Sequence, residues 1–107
     1  MLDELVKNQF ICDSLDMGNV TSWFRENMSM AEGNAVFFLA KPTKRVAEMF
    51  AITEDIMQLN PEHNLLQVVV DQKKNLPVAI RLISYGTKPN LIAERMKDND
   101  YMIITND

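Results

Sequence analysis

Six consecutive apolar residues, Ala35-Val-Phe-Phe-Leu-Ala40, constrain the fold more than any other feature of the chain. A run of strand length with no polar interruption describes a strand buried on both faces, and such a strand needs neighbours in a sheet and cover above and below it. A similar run spans Leu65 to Val70, and both fall far short of the roughly 20 apolar residues that a membrane helix needs. With 107 residues, 47% of them hydrophobic and 24% charged, the chain has the size and composition of one globular domain with one core. The expectation is a single domain over residues 1–107, a monomer or homodimer, without a membrane partner.

The start of the chain carries Asp3 and Glu4 where a secretory signal would carry basic residues and then an apolar stretch. The single cysteine, Cys12, cannot form an internal disulfide and is too little for a structural zinc site. Both features read as a cytoplasmic protein in a reducing compartment. The net charge of −4 opposes non-specific nucleic-acid binding, although it leaves room for a local basic patch. Ten asparagines and eight methionines are the usage of an AT-rich genome, such as many phages possess.

Residues 1–33 read as a helical N-terminal extension. Leu2, Leu5, Val6 and Phe10 share a helical face, with Gln9 to Ser14 open as a short strand instead. Asn19 is a candidate N-cap for a helix over about residues 20–31, in which Val20, Trp23, Phe24 and Met28 recur at helical spacing before Gly33 stops it.

Residues 34–107 read as a βαββαβ core. After the strand at 35–40, Lys41-Pro42 breaks the run and Thr43 caps a helix over about 44–59, which Asn60-Pro61 ends. Leu65 to Asp71 and Val78 to Tyr85 form two strands joined as an antiparallel hairpin. Pro89 opens a short helix with Leu91, Ile92 and Met96 inward, and Tyr101 to Thr105 makes the last strand. The order β-α-β-β-α-β from residue 35 is the split βαβ arrangement of ferredoxin-like domains, in an α+β class. It places the first and third of these strands, 35–40 and 78–85, at the centre and both helices on one face. The second face is then apolar, to be covered by the N-terminal helical extension packed on the sheet or by a second copy.

Two groups of residues stand out as candidate sites. The connections after 40, 71 and 97 are expected to meet at one end of the sheet, gathering Lys41, Lys44, Arg45, Lys73, Lys74 and Lys97 around Thr43 and the N-terminus of its helix, where an anion is favoured. The bland reading is that loop lysines keep turns soluble while Asp71, Asp98 and Asp100 cancel their field. Trp23, Phe24, Met28 and Met30 form an aromatic and methionine stripe suited to a protein interface, or simply to a core. Phe37, Phe38 and Tyr85 lack the basic and glycine interleaving of an RNA-recognition sheet and read as core.

His63 is the only histidine and has no cysteine beside it to complete a metal site. The serines lie in no nucleophile elbow, and Gly18, Gly33 and Gly86 form no phosphate loop. No catalytic residue, metal or cofactor is therefore assigned. The sequence predicts a small non-enzymatic interaction protein, an inhibitor, adaptor or accessory factor of phage or mobile-element type. The alternative is a regulatory module that binds a small anionic ligand or nucleotide, or RNA or single-stranded DNA, at the basic end around Thr43.

Overall fold

The computed structural model describes residues 8–104. Its strands are β1 (Gln9–Ser14), β2 (Ala35–Ala40), β3 (Asn64–Asp71), β4 (Leu76–Thr87) and β5 (Tyr101–Ile104), and its helices are α1 (Met17–Asn27), α2 (Lys44–Met49) and α3 (Asn90–Arg95). The strands form one mixed sheet in the order β1-β4-β3-β2-β5, which makes a small single-domain α+β fold. The β2–β3, β3–β4 and β2–β5 pairs are antiparallel, and β1 lies parallel to β4.

This order replaces the ferredoxin-like one. There β2 and β4 would be neighbours, whereas here β3 lies between them, so that β5-β2-β3-β4 has the Greek-key sequence of positions. The physical reason is the composition of β3. Leu65 and Val69 point to one face and Leu66 and Val68 to the other, and all four are essentially inaccessible to solvent. A strand apolar on both sides cannot stay at an edge. The N-terminal extension is also not wholly helical, because Gln9–Ser14 is the edge strand β1. The expected apolar face of a first helix falls largely on residues 2–7, outside the described residues.

Both faces of the sheet are covered from within the chain. On one face α1 and α3 pack Val20, Phe24, Ile92 and Met96 against Phe37, Leu39, Leu65, Val69 and Ile83. Phe24 stacks on Phe37 with ring centroids 4.6 Å apart, which anchors α1 over β2. The N-terminal helix thus covers the sheet, although α3 joins it there. The two later helices do not share a face: α2 and the 3-10 turn Ile56–Gln58 cover the opposite one, with Val46, Phe50 and Ile56 against Leu66, Val68 and Leu82. Phe37 and Tyr85 are core residues, and Phe38 packs between Phe50 and Tyr101.

Helix α1 starts earlier than expected because Asp16, not Asn19, is the N-cap, its carboxylate accepting the Asn19 N–H at 2.8 Å. It closes at Asn27, whose side-chain amide donates to the Trp23 carbonyl, and a 3-10 turn, Met28–Met30, follows. Gly33 does not act through a left-handed stop, since no described glycine has positive φ. Its role is steric: a Cβ there would stand 2.8 Å from the Lys73 Cβ. The close approach lets buried Asp71 accept N–H groups from Glu32 (2.9 Å), Gly33 (3.2 Å) and Lys73 (2.9 Å), joining the loop before β2 to the β3–β4 turn.

The expected helix over 44–59 is broken after one and a half turns. Phe50 is followed by Ala51 at φ 54°, with Ile52 N–H donating to the Ala47 carbonyl and Ala51 N–H to that of Glu48. These are the bonds of a Schellman stop, with alanine where glycine is usual. The left-handed conformation costs a residue with a Cβ about 1 kcal/mol or more. Ala51→Gly should therefore raise the urea midpoint, at unchanged slope, by the equivalent of about 1 kcal/mol. A lower midpoint would show that Ala51 carries no strain.

Asp71 supplies a second expectation. Its pKa is lowered, first by the Glu32 N–H and then by those of Lys73, Gly33 and Lys74, against burial that raises it. A folded-state value below the ordinary aspartate value of about 3.9 gives a stabilisation fully present above that pH and lost as pH falls through the lowered pKa. Asp71→Asn should lower the melting temperature at neutral pH and flatten its fall on the acid side. An acid limb as steep as that of the unaltered protein would assign the pH dependence to other carboxylates.

Candidate functional site

β4 runs for twelve residues and β1 for six. The parallel register begins at Gln9 beside Leu82, and the Leu82 N–H donates to the Asn8 carbonyl, so β1 covers only the second half of β4. Along residues 76–81 the outer edge of β4 has no strand beside it among the described residues. The two-residue period of a strand turns the Ile80 N–H and carbonyl to the same side as those of Leu82. Pro77 and a bulge at Val78, which the β3 register skips between Val69 and Val70, restrict the open stretch to a short one.

Beside this edge is a cleft of about 580 Å³. Trp23, Asn27 and Met30 form one wall, the loop Ala51 to Glu54 that follows the α2 stop forms the other, and Pro77 to Ile80 form the floor. Trp23 is half-buried and Met30 is 56% exposed, so apolar surface is presented where backbone hydrogen-bonding capacity is also open.

Next to the cleft, β4 places Arg81 on the α1 side of the sheet with only 9% of its surface exposed. Directly across, on β3, Gln67 is fully buried; its Oε1 accepts from Arg81 Nε at 2.9 Å and from Nη2 at 2.6 Å. Gln67 is itself fixed by donating from Nε2 to the Val20 carbonyl at 2.7 Å, and Arg81 Nη2 also donates to Asn19 Oδ1 at 2.9 Å. The guanidinium lies 4.8 Å from the Phe10 ring centroid and 5.3 Å from that of Trp23, within the range of cation–π attraction. Among the described residues no carboxylate comes within ion-pair distance; the one such pair joins exposed Lys74 and Glu32 at 3.3 Å. Burial lowers the Arg81 pKa, while Cys12 and Glu26 act at longer range to raise it.

The sequence-predicted basic site is not assembled as expected. β2 and β3 are antiparallel, with Ala35 beside Asp71 and Ala40 beside Leu66, so Lys73 and Lys74 lie at the opposite end of β2 from Lys41. The two ends are about 20 Å apart at strand rise. Thr43 does cap α2, its hydroxyl accepting the Val46 N–H at 3.2 Å, and Lys41 stands beside the 97–100 turn through its N–H bond to the Asp100 carbonyl. Lys44 and Arg45 follow in the first turn of α2, and Lys97 follows α3. A second cleft at this end is lined by Arg45 and Arg95 but also by Glu94, Asp98 and Asp100, so its charges largely cancel. Of the predicted interface stripe, Phe24 is core, whereas Trp23 and Met30 line the cleft at β4 and Met28 is 40% exposed. Arg81 was not among the predicted site residues. Its signal was legible, as the lone charge inside the apolar run from Val78 to Tyr85.

Tyr85 and Cys12 are both biased toward their neutral forms. Burial pushes the Tyr85 hydroxyl, which has no hydrogen-bond partner, up to about 12, and burial also raises the Cys12 pKa. Among the described residues no group of three or more His, Cys, Asp or Glu is placed to hold a metal ion, and no helix is long and apolar enough to cross a membrane. Compared with protein-family models, curated proteins and solved structures, the chain matches none.

The buried amide–guanidinium network makes a test of its own. Gln67→Leu retains volume but deprives Arg81 of its main acceptor, which should cost on the order of 3 kcal/mol in a denaturant titration. A change below about 0.5 kcal/mol, the level of an ordinary surface substitution, would show that Arg81 finds other partners without difficulty.

Proposed function

We propose that the protein is a small non-enzymatic interaction module, an inhibitor or adaptor in role, that takes an extended segment of another protein chain at the open edge of β4. The observation that carries this reading is the coincidence of a strand edge that, among the described residues, has no neighbour at Ile80 with the cleft that Trp23 and Met30 help to line. Main-chain bonding to a sheet edge provides affinity that does not depend on sequence, and the flanking pockets select side chains. Tryptophan and methionine suit such a surface, the first as a large rigid anchor and the second as an adaptable one. Pro77 and the bulge at Val78 keep the edge short, which favours a specific short docking over open-ended pairing between sheets.

The chain's single tryptophan makes the site directly observable. A capped, uncharged peptide of alternating valine and threonine should alter Trp23 fluorescence saturably and shift the Ile80 amide resonance. Met30→Asp, at an exposed position, should weaken that binding at least about tenfold, which corresponds to 1.4 kcal/mol. Saturable binding that leaves both Trp23 and Ile80 unperturbed would place the interaction elsewhere and sink the reading.

A further inference from the structure

Among the described residues, the buried cation Arg81 has only neutral partners. Gln67 and Asn19 engage Nε and Nη2 through amide oxygens, and Phe10 and Trp23 face the guanidinium with their rings. Neutral acceptors orient a guanidinium but leave its charge uncompensated, which is costly at 9% exposure. The third nitrogen, Nη1, donates to no described group. Yet among the buried side-chain nitrogen and oxygen atoms of the described residues only the Tyr85 hydroxyl lacks a partner, so Nη1 is not fully buried and keeps some access to solvent. Arg81 is therefore held on two nitrogens, with Nη1 left without a described partner and the guanidinium 5.3 Å from the ring of Trp23, which lines the cleft.

We propose that Arg81 Nη1 receives a carboxylate, carried as an aspartate or glutamate side chain by the extended segment that docks on β4. In naming a peptide as carrier the proposal rests on the reading of the β4 edge; the anion site itself does not. A carboxylate fits better than a phosphate for two reasons. One charge neutralises one charge, whereas a phosphate dianion would leave an excess negative charge against Phe10 and Trp23. Only one nitrogen remains free, which suffices for an end-on carboxylate but not for the several donors a phosphate requires. Among the described residues the Cys12 thiol and Glu26 are the titratable groups that act on Arg81, and Glu26 does not stand within ion-pair distance of it.

The test uses the unaltered protein, labelled with ¹⁵N, and follows the Arg81 side-chain Nε–H resonance during titration with sodium benzoate, benzamide and inorganic phosphate. Benzoate should shift it saturably and benzamide should not. In parallel, the alternating valine–threonine peptide with one central glutamate should bind about tenfold tighter than its glutamine twin. That gap should close in Arg81→Met. Should this variant fail to fold, the comparison of the two peptides on the unaltered protein still decides.

A silent benzoate titration with equal binding of the two peptides overturns the carboxylate site and leaves the β4-edge reading standing. A benzoate response with neither peptide bound overturns the peptide as carrier and, with it, the β4-edge reading. Phosphate binding at Arg81 as tightly as benzoate overturns the assignment to carboxylates.

Discussion

The fold depends on β3 being apolar on both sides. Leu65 and Val69 require cover on one face of the sheet, and Leu66 and Val68 require it on the other. A strand with that demand must be flanked by β2 and β4, whose own inner residues continue the two apolar surfaces. The remaining elements follow as cover. α1 and α3 meet the first surface, and α2 with the 3-10 turn after it meets the second. β1 and β5 close the sheet as short edges, where Ile11 and Ile103 can remain exposed at little cost.

Local structure was legible where the chain signals it locally. The strand at 35–40, the β3–β4 hairpin, the Thr43 cap and the packing of Trp23 and Phe24 on the sheet all follow from short-range pattern. The strand order does not follow in the same way, because element order alone places the run from Leu65 to Val70 at an edge. Its composition matches that of 35–40 and carried the information needed to place it centrally. The consequence for the candidate site was direct. Lys73 and Lys74 belong to a hairpin that an antiparallel neighbour of β2 must place at the far end from Lys41, so the basic cluster divides.

The break in α2 was hidden for a different reason. Val46, Phe50 and Ile56 keep helical spacing, and all three do reach the same face of the sheet. The chain between them is nevertheless not one helix, because Ala51 takes the left-handed conformation that glycine or asparagine would have announced. Burial periodicity reports which side chains must converge, not the path the backbone takes between them. Here the detour has a structural result, since residues 51–54 leave the helix axis and become a wall of the cleft beside β4.

That cleft and Arg81 are linked through α1. Val20 receives the Gln67 amide and Asn19 the guanidinium, so the polar network under the helix fixes its N-terminal half on the sheet while Phe24 fixes its middle. Trp23 lies between these two attachments and is positioned by both. A hydrophobic replacement of the Gln67–Arg81 pair would fill the same space with less desolvation. It would also remove the hydrogen bonds that tie Asn19 and Val20 of α1, and through the helix Trp23, to the sheet. The polar choice under α1 thus fixes the position of the helix that carries Trp23.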